Sequence, residues 1–271
     1  MGLIFREDPV FGMIHEALQA NVLSVPDGRI RPLSVIERPR TGSAKYRTTL
    51  AHVVREASDV SLNETYLETE PMANISGEHT QDMNIDLGLE MLAGYLRGFG
   101  VTLPNLKLHF RGIQRVSFSF ENVQRVWADN GLLAQELRDK HIERNAVTEG
   151  FFGLLPTKLL LVDSIITSND FSIHATETTD DGFTFNPTPI AETLEGTGSD
   201  LGVYVRNQRT LTFRGNAELP FAFTCVQLRL DKAGKIVEMP PFVKKVRRLM
   251  RSDRAEEWEK EQWEDGFIEL Q

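Results

Sequence analysis

The sequence predicts an α+β fold: a large, twisted antiparallel sheet flanked by helices, with a short C-terminal helical tail. Three observations carry this. Apolar and polar residues alternate with period 2 at five places in the middle of the chain, as half-buried strands require. Helical periodicity is confined to a few stretches, near the ends and on one face of the sheet. From Val243 to Gln271 the composition turns to Arg, Glu, Lys, Leu and Met, all good helix formers.

Asp8 followed by Pro9 is a helix start, an N-cap acid before a proline at the first helical position. Val10, Phe11, Ile14 and Leu18 then recur at helical spacing, which predicts a short amphipathic helix to about Ala20. From Val22 to Ile36 two short strands are predicted, broken by the turn Pro26-Asp27-Gly28. The stretch Arg38-Pro39-Arg40-Thr41-Gly42-Ser43-Ala44-Lys45-Tyr46-Arg47 reads as a loop carrying four cations and one aromatic ring. A solvated loop accounts for it, and so does contact with anionic headgroups.

Met83, Ile85, Leu87, Leu89 and Met91 alternate with polar residues and glycine, which predicts a strand. Gly94, Gly98 and Gly100 follow, and they permit a tight bend after it. Further strands are predicted at Leu106–Arg111 and at Val116–Phe120, then a helix over Val123–Arg144 with Leu132, Leu133 and Leu137 on one face. Lys158–Thr167 and Phe171–Thr178, the second containing Phe171, Ile173 and Ala175 in alternation, read as a hairpin turning at Ser168-Asn169-Asp170. Phe221, Phe223 and Cys225 alternate in a last strand.

The chain has 271 residues, 41% of them hydrophobic and 25% charged, enough to bury a real core. It divides into residues 1–243 and a tail of residues 244–271. The formal net charge of −9 argues against nucleic acid as a partner. That charge is uneven. Lys244, Lys245, Arg247, Arg248 and Arg251 form a basic strip, and the twenty residues after it carry eight acids against Arg254 and Lys260, so a chain ending at Arg251 carries −3. Within this acidic tail Trp258, Trp263 and Phe267 are spaced to share a broad helical face, which predicts docking on the main body. An ordinary last helix and a releasable latch would use the same contacts.

One cysteine, Cys225, leaves no internal disulfide and fits a reducing compartment. Arg6, Glu7, Asp8 and Pro9 stand where a secretory leader would be apolar, and no window of 18 apolar residues suggests a membrane helix, so a cytoplasmic resting protein is expected. The histidines His15, His52, His79, His109, His141 and His174 are scattered without metal-ligand spacing, and no metal or other cofactor is expected. No Gly-x-Ser-x-Gly elbow, phosphate loop or dinucleotide fingerprint is present, and no enzymatic activity is expected.

Several segments, in order, resemble the compact microbial gasdermins. Asn21-Val22-Leu23-Ser24-Val25-Pro26 through Ile30–Ile36 resembles their first strand pair. Ile75-Ser76-Gly77-Glu78 leading into Ile85-Asp86-Leu87-Gly88-Leu89 resembles their next strands. Leu159–Thr167 with Phe171–Ala175 resembles a later hairpin, and Leu219–Phe223 followed by Val226-Gln227-Leu228 the closing strand. The similarity spans about residues 10–240.

The resemblance implies a pore-forming domain in residues 1–243 that oligomerises in a membrane as a β-stranded pore and causes cell death. It further implies two segments that refold into membrane hairpins, about Ala51–Leu92 and Gly150–Phe185, with Met83, Ile85, Leu87, Leu89, Phe171, Ile173 and Ala175 as membrane-strand candidates. Phe5, Arg6, Phe11, Arg38, Arg40, Lys45, Tyr46 and Arg47 are the candidates for membrane contact. The implied partners are anionic membrane lipids, other copies of the chain, and either an activating protease (caspase-like or trypsin-like) or a second variant of the same family. The protein would be cytoplasmic when inactive and at the cell membrane when active. Cleavage within Lys244–Arg251 would free the Trp258–Phe267 latch. Many bacterial members carry a lipidated cysteine near the N-terminus; Leu3, Ile4 and Phe5 stand there instead, a departure that leans towards the fungal members. The rival from another class is a non-lytic β-rich lipid or ligand carrier, and an enzyme with an unrecognised site ranks after it.

Overall fold

Two long strands form the spine of the sheet, and every other strand pairs with one of them or with a strand that does. The computed structural model describes residues 20–23, 25–39, 44–54, 67–80, 85–102, 115–152, 157–176, 188–195, 201–207, 209–239 and 241–242. Within these residues a twelve-stranded sheet is seen: β1 (Asn21–Val22), β2 (Ser34–Arg38), β3 (Lys45–Thr49), β4 (Leu67–Pro71), β5 (Ile75–Thr80), β6 (Arg115–Glu121), β7 (Gln124–Ala128), β8 (Lys158–Thr176), β9 (Leu201–Asn207), β10 (Thr210–Leu230), β11 (Ile236–Glu238) and β12 (Pro241–Phe242). The helices are α1 (Ile85–Gly98), α2 (Asn130–Glu136) and α3 (Thr188–Glu195). No described helix is long and apolar enough to cross a membrane.

The antiparallel pair of β8 and β10, 19 and 21 residues long, is the spine. Along the free edge of β8 come β2, β7 and β6 in turn, with β3, β4 and β5 outside them. Along the far edge of β10 lie β9, β1, β12 and β11. The exposed edge β4 is guarded by Glu68, Glu70 and Pro71, residues that discourage further pairing.

The lower half of the spine is buried on both faces. Leu159, Leu161, Val226 and Leu228 meet Leu133 of α2 and the adjoining Leu137 on one side, while Leu160, Val162, Phe223 and Cys225 meet Leu23, Ile30 and Ile36 on the other. Cys225 is fully enclosed, and burial pushes its thiol pKa up, as an inert core thiol requires. The upper half has one apolar face, covered by α1 and α3.

Four local expectations are corrected. The strand expected over 83–91 is helix from Ile85 onward. Period 2 and period 3.6 coincide at Ile85 and Leu89, but Leu92, Tyr95 and Leu96 extend only the helical stripe, and with Leu89 they are all buried. The glycines end this helix instead of a strand. Gly100, at φ +76°, donates to Arg97 O at 2.9 Å while Val101 donates to Leu96 O at 2.9 Å, the paired bonds of a Schellman C-cap. Ala at position 100 would carry a Cβ in that left-handed conformation. A loss of about 1–2 kcal/mol is expected, read as a lower denaturant midpoint at unchanged slope.

Second, the helix expected over 123–144 begins only at Asn130. Before it, residues 124–128 are β7, and Asp129 caps α2 by accepting from the amides of Gly131 (2.7 Å) and Leu132 (3.1 Å). Of the three leucines placed on one face, Leu133 and Leu137 are buried and Leu132 is exposed.

Third, the loop expected over 38–47 is strand at both ends, with Arg38 closing β2 and Lys45, Tyr46 and Arg47 opening β3, while residues 40–43 lie outside the described residues. Fourth, no hairpin turns at Ser168-Asn169-Asp170: β8 runs straight through it, because the Ser168 hydroxyl and one Asp170 oxygen find partners inside the sheet. The strands expected at 75–78, 116–120 and 221–225 fall within β5, β6 and β10, and β10 begins well before the expected stretch, at Thr210. The expected strand at 106–111 and the N-terminal helix lie outside the described residues.

Candidate membrane-inserting sheet

Across the upper half, five strands lie in the order β5-β6-β8-β10-β9, and side-chain parity divides the last four of them into two unlike faces. The apolar face holds Val116, Phe118 and Phe120 of β6, Phe171, Ile173 and Ala175 of β8, and Leu211 and Phe213 of β10, all buried. Val203 of β9 packs against the same cluster, and Val205, opposite Leu211, continues that face at the edge. The other face carries Ser117, Ser119, Ser172, His174, Thr210, Thr212 and Tyr204. Its hydroxyls bond across the strands, Ser172 Oγ to Thr212 Oγ1 and His174 Nδ1 to Thr210 Oγ1, each at 2.9 Å. Alternation of this kind on every strand is what a sheet needs to face lipid on one side and water on the other.

In this structure the apolar face meets protein instead. Tyr95 of α1 sits among its rings, with centroids 4.9 Å from Phe171, 5.6 Å from Phe120 and 5.2 Å from Phe99. Phe171 in turn lies 4.9 Å from Phe120, 5.8 Å from Phe118 and 6.2 Å from Phe213. Burying such a ring is worth about 1.5–3 kcal/mol, with about 0.5–1.5 kcal/mol more per well-placed aromatic pair. The Tyr95 hydroxyl donates to Ser168 O at 3.2 Å, and burial pushes its pKa far above the usual phenol range. Ile190 and Ala191 of α3 complete the cover.

At the lower border of the patch the spine is irregular. Ser168 and Asp170 of β8 are fully buried. Ser168 Oγ donates to Glu121 O at 2.7 Å, and Arg214 Nε donates to Asp170 Oδ2 at 2.9 Å, a bond that raises the arginine's own pKa. Asp170 Oδ1 and Asn169 Oδ1 are buried without a hydrogen-bond partner among the described residues. Opposite them, Arg214 pairs with Asp170 and Leu219 with Ser168, so residues 215–218 of β10 face Asn169 alone. This is a large, irregular bulge.

The sequence-predicted residues are distributed as follows. Phe171, Ile173 and Ala175 lie together at the centre of the apolar face. Leu89 belongs to α1 and packs on that face from the outside, while Ile85 and Leu87 are in the same helix. Lys45 is exposed on β3 and Tyr46 is half-buried. Arg47 bonds the Glu37 carboxylate through Nε at 2.6 Å and through its Nη2, and Arg38 is 6% exposed. Phe5, Arg6, Phe11, Arg40, Met83, the cations Lys244, Lys245, Arg247, Arg248 and Arg251, and the tail residues Trp258, Trp263 and Phe267 lie outside the described residues. Tyr95, Arg214 and the whole of β9 are not among the sequence-predicted residues, and Asp170 is among them only as a turn residue. The alternation Val203-Tyr204-Val205 and Leu211-Thr212-Phe213 was the available signal.

A sequence model described as the Bacterial Gasdermin Family matches residues 23–235. A protein of a Vitiosangium species named gasdermin bGSDM is 24% identical over 236 residues, covering 87% of this chain and 85% of its own length. The gasdermin bGSDM of Lysobacter enzymogenes is 21% identical over 212 residues, covering 78% and 77%. Among solved structures, that of a bacterial gasdermin from Bradyrhizobium tropiciagri aligns over 97% of both chains with a TM-score of 0.62 at 13% identity, a likeness of fold.

Proposed function

The chain belongs to the bacterial gasdermin family, and we propose that it is an autoinhibited pore former whose five-stranded amphipathic sheet enters a membrane after the C-terminal tail is released. The family match sets aside the lean towards fungal members that the missing N-terminal cysteine gave. The observation that carries the reading is the strict parity of β6, the upper parts of β8 and β10, and β9, together with the helices that cover the apolar side. Every backbone group in a bilayer must be paired, so an open sheet can insert only by joining other copies until it closes on itself. Among the described residues β5 and β9 bound these strands on opposite sides, and they are the edges through which neighbouring copies would continue the sheet. Ile85, Leu87 and Leu89 join a membrane strand in this reading only by unwinding the first part of α1, which contains Gly88.

Anionic lipids are the surface partner. Exposed Lys45 with Tyr46 forms the described part of the contact, and Phe5, Arg6, Phe11 and Arg40 are its sequence-based extension. Arg38 and Arg47 reach lipid only by leaving burial or Glu37. Residues 244–271 act as the inhibitory segment, with Trp258, Trp263 and Phe267 as its anchors and the strip Lys244, Lys245, Arg247, Arg248 and Arg251 as the place of cleavage by a trypsin-like or caspase-like protease. Removal of the acidic end brings the net charge from −9 to −3, which lowers repulsion from an anionic surface. The pore would then breach the cell's membrane and kill the cell, as a defence or incompatibility response.

Anionic liposomes loaded with a self-quenched dye test this directly. The full chain is expected to leave them sealed, and a fragment ending at Arg251 to release dye with a steep dependence on protein concentration. Sealed vesicles with both proteins would sink the reading and favour a ligand carrier.

A further inference from the structure

The apolar face of β10 is interrupted at one position. Leu211 and Phe213 fill that face, and the next residue in the same phase is Gly215, buried and paired with Leu201 as the last rung of the β9 ladder. A glycine inside a strand leaves nothing to pack there, and it marks a place where another group comes close. Here that group is Phe99, the residue that follows α1. A Cβ on Gly215 would lie 2.0 Å from Phe99 Cε1, 2.6 Å from its Cζ and 2.8 Å from its Cδ1. Carbon atoms in contact stand about 3.5–4.0 Å apart, so the ring rests on the bare backbone of the strand.

The neighbouring contacts hold the ring in this place. Phe99 N donates to Leu96 O at 3.1 Å, just before the cap that Gly100 closes. The Tyr95 ring lies 5.2 Å away, and the Tyr95 hydroxyl is tied to Ser168 O on β8. A Cβ on Gly98 would come within 3.1 Å of Leu219 and 2.9 Å of Pro26 O, so the end of the helix is wedged between β10 and the loop after β1.

We propose that Phe99 and Gly215 form an internal lock: the notch at the glycine seats the ring, and this fit keeps α1 on the sheet as a restraint separate from the tail. The inference rests on the pore-forming reading and adds the residue pair that sets the balance between the covered and the inserted sheet. Gly215 serves only the covered state. In a membrane the apolar phase of β10 meets lipid, and a branched side chain at this position would suit the pleat better than a hydrogen.

Gly215→Val tests this, read as dye release from anionic liposomes by the full chain and by the chain ending at Arg251. Valine has to expel the ring, and the full-length variant is expected to leak about tenfold faster than the full-length parent. Phe99→Ala removes the ring without a clash, and a rise of about threefold is expected. The double variant Phe99→Ala/Gly215→Val is expected to fall back to the level of Phe99→Ala, because the valine methyls take the space the ring leaves. Two independent losses of stability would multiply instead. Without the tail, all three variants are expected to leak at least as fast as the tail-free parent.

A full-length Gly215→Val chain that is folded by circular dichroism and leaves vesicles sealed would mean that the ring swings aside, and it overturns the proposal. So does a double variant as leaky as Gly215→Val or leakier. Slower leakage from tail-free Gly215→Val overturns it too, because the inserted sheet would then need the glycine. If Gly215→Val does not fold, Gly215→Ala carries the same comparison with a smaller intrusion, and sealed vesicles there overturn the proposal in the same way. Failure of the tail-free parent to leak would instead overturn the pore-forming reading itself.

Discussion

Val205→Lys is expected to leave the soluble fold intact and to abolish membrane leakage, whereas Tyr204→Lys, one residue away, is expected to spare both. Val205 is 43% exposed and Tyr204 54% exposed on the edge strand β9, so neither change disturbs a packed core and each should fall within about 0.5 kcal/mol of the parent's stability. Their faces differ. Val205 stands opposite Leu211 on the apolar face, and Tyr204 opposite Thr212 on the hydroxyl-lined face. In a membrane sheet the first position meets lipid and the second water. A lysine on the lipid side costs about 2–4 kcal/mol at the bilayer midplane, and every copy in the ring carries it. Leakage by the tail-free chain, with circular dichroism melts of both variants, reads the difference. Equal leakage from the two would mean that the parity of this sheet is not what meets the membrane.

Where one physical signal acted alone, the sequence was legible. Val116, Phe118 and Phe120 alternate with Ser117 and Ser119, no competing period is present, and β6 is found there with those three residues buried. Phe171, Ile173 and Ala175 behave in the same way. The reading failed where two signals overlapped. Ile85, Leu87 and Leu89 satisfy a strand pattern, but the helix is decided further on, by Leu92, Tyr95 and Leu96 and by the Gly100 cap.

Ser168-Asn169-Asp170 failed for a different reason. Three polar residues between apolar runs signal a turn only if the backbone must leave the sheet to satisfy them. Here the Ser168 hydroxyl finds Glu121 O, and the buried Asp170 finds Arg214 from 44 positions away, so the strand continues. Ile166 and Phe171 both face the cluster under α1 although five positions separate them, a parity flip that no simple alternation count reveals. Partners that distant are fixed by topology. The candidate site was therefore legible strand by strand, while its cover and its lower border were not.

Leu96→Ala and Leu137→Ala are the most informative matched pair, because they remove the same side chain from equally buried places in different halves of the molecule. Each leucine is 1% exposed. Leu96 ties α1 to the upper sheet, and Leu137, at the C-cap of α2, belongs to the lower core. Each truncation is expected to cost about 2–5 kcal/mol, seen as a similar fall in denaturant midpoint. Their effects on membranes should diverge. Loosening α1 uncovers the apolar face of the five strands, so the full-length Leu96→Ala chain is expected to release liposome dye without tail removal, at a rate at least tenfold above the parent. Leu137→Ala weakens a part of the fold that stays outside the membrane in the proposed mechanism, and its full-length chain should leave vesicles sealed. Comparable leakage from both variants would make general unfolding the cause and remove α1 from the mechanism. Silence from Leu96→Ala at a confirmed loss of stability would mean that the tail alone, and not the helix, keeps the sheet out of the bilayer.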